Sequence, residues 1–132
     1  MTRLVFFYGL FMDPEVLRES RVKGHGPRLA TVRGKALRIG ERATLVDDPD
    51  DEVHGVVMAV SASDLEALYS APSVAAYRPV PVTAHYADGS SVAAITYVLP
   101  DADGAPANPD YVRKLQAVAA KMGLPADHVA RI

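Results

Sequence analysis

The sequence predicts an α+β fold, because helical patterns interrupt a set of strand patterns without the regular alternation of a parallel sheet. Two observations carry this. "SASDLEALYSAP" and the stretch after Pro109 switch to helical spacing, whereas Asp88-Gly89 joins two alternating runs as a hairpin, the mark of antiparallel pairing.

Arg3–Tyr8 is short, β-branched and aromatic and stops at Gly9, so it reads as a central strand. Asp13 suits a helix N-cap, with Pro14 in the first helical position, Glu15 in the first turn and Leu17 facing the core. "KGHGP" (Lys23–Pro27) is a cluster of breakers and predicts a loop. From Arg28 to Val46 the chain alternates loosely around Gly34 and Gly40, which predicts two strands with a bend or bulge. The acidic run Asp47–Glu52, with Pro49 inside it, predicts a solvated turn, and Glu52–Val60 a strand in which Gly55 marks a bulge or a close backbone approach.

Ser63 and Glu66 are spaced as a capping box for a helix that carries Leu65, Leu68 and Tyr69 on one face and ends at Pro72. The alternating prolines Pro79 and Pro81 place the first hairpin strand at a sheet edge. Asp101–Pro109 predicts a loop. An amphipathic helix follows, with Tyr111, Leu115, Val118 and Met122 on one face and Gly123 as its stop, and the last residues allow one more helical turn.

With 132 residues, 49% of them apolar and a net charge of −2, the chain suits one soluble domain and offers no basic surface for nucleic acid. It lacks cysteine, so thiolate chemistry and cysteine-held zinc are excluded. There is no signal-like or membrane-length apolar stretch, no glycine-rich phosphate loop and no paired-histidine spacing. His25, His54, His85 and His128 are scattered. A cytoplasmic protein without metal or cofactor is expected, taking a small molecule as partner; the oligomeric state is left open.

The junction "FYGLFM" (Phe7–Met12) is the place where chemistry is expected. A strand that stops in Tyr8-Gly9 and feeds a helix leaves N–H groups unpaired near Gly9 and Leu10, and such groups bind a carboxylate or an oxyanion. The same residues also suit a plain strand-to-helix corner. Tyr8, Tyr77 and Tyr97 are candidates to line one pocket, or to pack in the core.

The order and spacing of "FYGLFM", "VHGVVMAV" (Val53–Val60), "DLEALYSAPSVAAYRPVPV" (Asp64–Val82), "VAAITYV" and the closing "GLP" resemble the gamma-glutamylcyclotransferase-like superfamily over nearly the whole chain. The resemblance implies a small mixed, mainly antiparallel β-barrel with flanking helices. It also implies cyclisation of a γ-glutamyl amide to 5-oxoproline with release of an amine. The substrate's own α-amine is then the nucleophile. The backbone of Tyr8, Gly9, Leu10 and Phe11 would cradle the oxyanion.

In the family a glutamate between the middle helix and the "YR" strand moves the proton. In this chain its position falls on Ala71 or Pro72, neither of which can do so. General acid–base help is worth roughly 10²–10⁴-fold in rate. Glu41 and Glu66 are the candidate replacement bases. Glu66 also serves as the expected capping partner of Ser63, and Glu41 as an ion-pair partner of Arg42. The alternative is a non-catalytic module that binds a small carboxylate or amide on the same scaffold.

Overall fold

The computed structural model describes residues 1–100 and 106–132, so part of the loop expected over Asp101–Pro109 lies outside it. Five strands, β1 (Thr2–Phe7), β2 (His25–Ile39), β3 (Ala43–Ser61), β4 (Arg78–Tyr86) and β5 (Ser91–Val98), close into a barrel in the order β1-β3-β2-β4-β5. Every pairing is antiparallel except the seam between β1 and β5, where Val5 meets Ile95 in parallel. Helices α1 (Pro14–Glu19), α2 (Ala62–Leu68), α3 (Pro109–Lys121) and α4 (Ala126–Arg131) flank the barrel. The α+β class and the small mixed barrel are therefore both realised. Val5, Phe6, Met12, Leu17, Met58 and Leu115 are fully buried, some inside the barrel and some between it and the helices.

Local chemistry explains most element ends. The Asp13 carboxylate accepts from the Glu15 N–H at 3.0 Å, so α1 begins at Pro14. Asn108 caps α3 in the same way, and Gly123, at φ +83°, terminates it. The hairpin turns at Asp88-Gly89, with Gly89 at φ +91°. Pro79 and Pro81 lie in the part of β4 that pairs only with β5, since β2 meets β4 only through Tyr86 and His85. A missing N–H costs no ladder bond there.

Three expectations are corrected. The acidic run is part of β3 rather than a turn between strands. Arg33 pairs with Glu52 and Lys35 with Asp47, so Gly34 alone stands opposite Asp48–Asp51 in an enlarged, irregular bulge. Gly34 takes φ +79°, and Asp47, Asp50 and Glu52 stay exposed while Asp51 pairs with Arg131. The second helix is capped by Ser61 rather than Ser63: β3 runs straight into it, and the Ser61 hydroxyl accepts from Asp64 N–H at 3.2 Å. This helix also stops at Leu68, before Pro72. Finally, β2 begins at His25, inside the expected loop, with a register shift between His25 and Arg28 absorbing Gly26 and Pro27.

Candidate active site

The barrel seam creates the site. β1 and β5 pair only at Val5–Ile95, so beyond that point their backbones part and lose ladder partners. Side-chain hydroxyls replace them. The Thr96 hydroxyl donates to the Phe6 carbonyl at 2.8 Å, and the Tyr8 hydroxyl donates to the Tyr97 carbonyl at 2.6 Å. Between the parted strands lies a cavity of about 110 Å³.

A second unpaired edge borders it. β1 covers β3 only from Val56 to Ser61, which leaves the start of β3 open on that side. The Ala43 carbonyl there accepts from the Tyr77 hydroxyl. On the opposite wall the strand-to-helix junction is a 3-10 turn, Leu10–Met12, closed by Met12 N–H to the Gly9 carbonyl at 3.1 Å. Tyr111, on α3, reaches this turn from outside the barrel: a Cβ built on Gly9 would lie 3.1 Å from its hydroxyl.

Five of the chain's six tyrosines line the cavity. Tyr69 stacks on Tyr97 and meets Phe11 edge-on, with centroids 6.0 Å apart. Burial pushes the phenols of Tyr8, Tyr69, Tyr77, Tyr97 and Tyr111 above their ordinary pKa. Neighbouring tyrosines add to this at Tyr8, Tyr69 and Tyr77. All five are therefore protonated at neutral pH and are not proton acceptors; Tyr8 and Tyr77 donate to backbone carbonyls. Arg42, half-buried at the start of β3, is the one charged residue among the described lining residues, and it lies near enough to Tyr77 and Tyr111 to oppose their upward shift.

The structure thus brings Tyr8, Gly9, Leu10, Phe11, Tyr77 and Tyr97 together around one cavity. Glu41, Glu66, Ala71 and Pro72 are all exposed and are not among its lining residues. The Glu41 carboxylate lies 3.4 Å from the Asn108 side-chain nitrogen, and Glu66 points from α2 into solvent. Tyr69, Tyr111, Arg42 and Thr96 are lining residues that sequence reasoning missed. The two tyrosines sit on helical apolar faces and look like core, and nothing local marks Arg42 or Thr96.

The comparisons with known proteins agree with this geometry. A model of the family described as "Gamma-glutamyl cyclotransferase, AIG2-like" matches residues 5–116. The bovine (Bos taurus) protein "Gamma-glutamylcyclotransferase" is 28% identical over 95 residues, which cover 70% of this chain and 50% of that protein. The chain thus spans about half the length of that relative. A solved structure of a "Gamma-glutamyl cyclotransferase" superposes with TM-score 0.84 at 22% identity, covering 99% of this chain and 86% of the other. The human (Homo sapiens) protein loc79017, described as uncharacterized, gives TM-score 0.82 at 23% identity, covering 98% and 85%. At these identities the structures speak for the fold, while the family match spans both walls of the cavity, from β1 into α3. The chain belongs to the gamma-glutamyl cyclotransferase, AIG2-like family.

Proposed function

We propose that the tyrosine-lined cavity binds a small γ-glutamyl amide, or a related ligand with a carboxylate or amide, and that cyclisation to 5-oxoproline is slow in it or absent. The observation that carries this reading is the cavity's makeup: phenols, backbone amides and Arg42, with no carboxylate among the described lining residues. A γ-glutamyl substrate brings its own nucleophile. The site needs only to hold the α-amine against the γ-carbonyl, stabilise the oxyanion and move one proton.

The first two tasks have suitable groups. Arg42 matches a ligand carboxylate, and the amides near Leu10 match a carbonyl oxygen. The third task does not. A protonated phenol with a raised pKa cannot take a proton from an ammonium group, and Ala71-Pro72 stands where the family resemblance puts the glutamate. Glu41, next in sequence to the lining residue Arg42, is the first base to examine if cyclisation is seen.

Calorimetric titration with γ-glutamyl dipeptides, run beside an assay of 5-oxoproline release, tests the reading in the parent and in Glu41→Gln and Glu66→Gln. Saturable binding with release near the uncatalysed rate is expected. Turnover at an ordinary enzymatic rate of about 1 s⁻¹ or more would overturn the slow-cyclisation part. Absence of binding across the panel would overturn the whole.

A further inference from the structure

We propose that the outer face of β2, β3 and β4, beside the turn between α3 and α4, is a second ligand site that takes a phosphate monoester carrying a small apolar body. It shares no lining residue with the tyrosine cavity, so its failure and that of the γ-glutamyl reading are independent.

Ladder pairing builds the floor. Thr31 on β2 lies opposite His54 on β3 and opposite His85 on β4, so these three side chains form one row across three strands. Two residues along, Arg33 and Glu52 face each other on the same side of the sheet, and Leu29 lies two residues the other way. The intervening Ala30, Val32 and Val53 are buried on the opposite face, so the row looks outward from the barrel. Gly123, Leu124 and Pro125, which join α3 to α4, form the wall. A Cβ on Gly123 would lie 4.0 Å from the Leu29 side chain. The space between floor and wall is about 380 Å³.

Charge decides the ligand. The groove holds a guanidinium, two imidazoles and a hydroxyl against one carboxylate, that of Glu52, among its described lining residues. This carboxylate lies 3.9 Å from His54 Nε2, while His54 Nδ1 lies 3.2 Å from the Thr31 hydroxyl oxygen. Glu52 and His54 therefore engage each other and set the Thr31 hydroxyl. Neither Arg33 nor His85 takes part in an ion pair among the described residues. A forked cation, a ring N–H and a hydroxyl on adjoining strands match the several acceptor oxygens of one phosphate better than the two of a carboxylate. A phosphate group fills only part of the space. Leu29, 42% exposed, borders the rest with Leu124 and Pro125, which suits an apolar body.

Titration with phenyl phosphate, benzoate and inorganic phosphate, followed by ¹⁵N–¹H spectra, tests the site in the parent, Arg33→Gln and His85→Asn. Phenyl phosphate is expected to shift the Thr31, His54, His85 and Leu124 amides saturably and to leave Gly9 and Leu10 unmoved. Each variant should weaken it roughly 3- to 10-fold, the equivalent of one net hydrogen bond. Inorganic phosphate should bind at the same amides more weakly, for want of the apolar body, and benzoate should also bind more weakly than phenyl phosphate. Shifts that never saturate, or that centre on the tyrosine cavity, would overturn the site. Equal phenyl phosphate affinities in all three proteins would do the same. Benzoate binding as tightly as phenyl phosphate would overturn the phosphate assignment, and inorganic phosphate doing so would overturn the apolar body.

Discussion

The Tyr69 ring lies flat on the Tyr97 ring, with centroids 3.7 Å apart and planes 10° from parallel. This stack joins the end of α2 to β5 across the cavity and forms one side of it. Removing the ring exposes the Tyr97 face and leaves a void beside Phe11. Tyr69→Ala is expected to cost about 2–4 kcal/mol in urea denaturation, less than a fully buried aromatic because Tyr69 is only partly enclosed. Tyr69→Phe keeps the stack and should stay within about 1 kcal/mol of the parent.

Gly55 offers a test inside the barrel. A Cβ there would lie 2.3 Å from the Phe7 carbonyl oxygen and 2.8 Å from the Phe6 ring. The backbone of β1 is fixed by its ladder with β3, so it cannot retreat. Gly55→Ala should therefore reach or exceed the upper end of the ~1–3 kcal/mol usual for overpacking. Because Phe6 and Phe7 also line the cavity, dipeptide affinity should fall with stability.

His128 gives a pH dependence of defined sign. It lies on α4 against His54, ring centroids 5.2 Å apart, and its buried Nε2 has no hydrogen-bond partner among the described residues. Desolvation, followed by His54 and Arg131, pushes its pKa down to about 4, with Asp51 pulling the other way. An unfolded histidine titrates near 6.5, so only the unfolded state gains this proton between about 6.5 and 4. Stability from the neutral His128 is therefore full above pH ~6.5 and is lost as pH falls through about 4. Urea midpoints of the parent should decline over that window more steeply than those of His128→Leu. Parallel slopes would contradict the assignment.

How far the sequence exposes all this depends on the range of the interaction that decides each feature. The Asp13-Pro14 cap, the Asp88-Gly89 turn and the Gly123 stop are decided within a few residues, and each could be read directly. The acidic run could not, because its strand character comes from pairing with Arg33 and Lys35 across the sheet. Ser61 takes the cap from Ser63 because β3 runs to Ser61 and α2 begins at the next residue, Ala62, with no connecting loop between them. At the site, Tyr8–Phe11 was visible as a strand-to-helix junction. The tyrosines from α2 and α3 were not, since on a helical face an aromatic that packs and one that lines a cavity share the same spacing.

Arg42 should decide how well a ligand carboxylate is held. Among the described lining residues it is the one charge, and it is half-buried, so solvent screens it only in part. Arg42→Met is expected to weaken γ-glutamyl dipeptide binding by roughly 10- to 100-fold, the range for a charge-assisted hydrogen bond. Arg42→Lys should recover part of this, since it keeps the charge and loses the planar fork. Equal affinities for parent and Arg42→Met, measured by calorimetry, would place the carboxylate elsewhere.

The pH dependence of any cyclisation tests whether a carboxylate serves as its base. If no carboxylate serves the cavity, the reacting species is the ligand's free α-amine, and hydroxide or solvent takes its proton. The rate should then rise about tenfold per pH unit up to the amine's own pKa, near 8 or above, and level off. The tyrosines add no break below that point, because their phenols are shifted upward. Glu41→Gln and Glu66→Gln should leave the profile unchanged. A break between about pH 4 and 6 that disappears in one of these variants would instead identify that glutamate as the base.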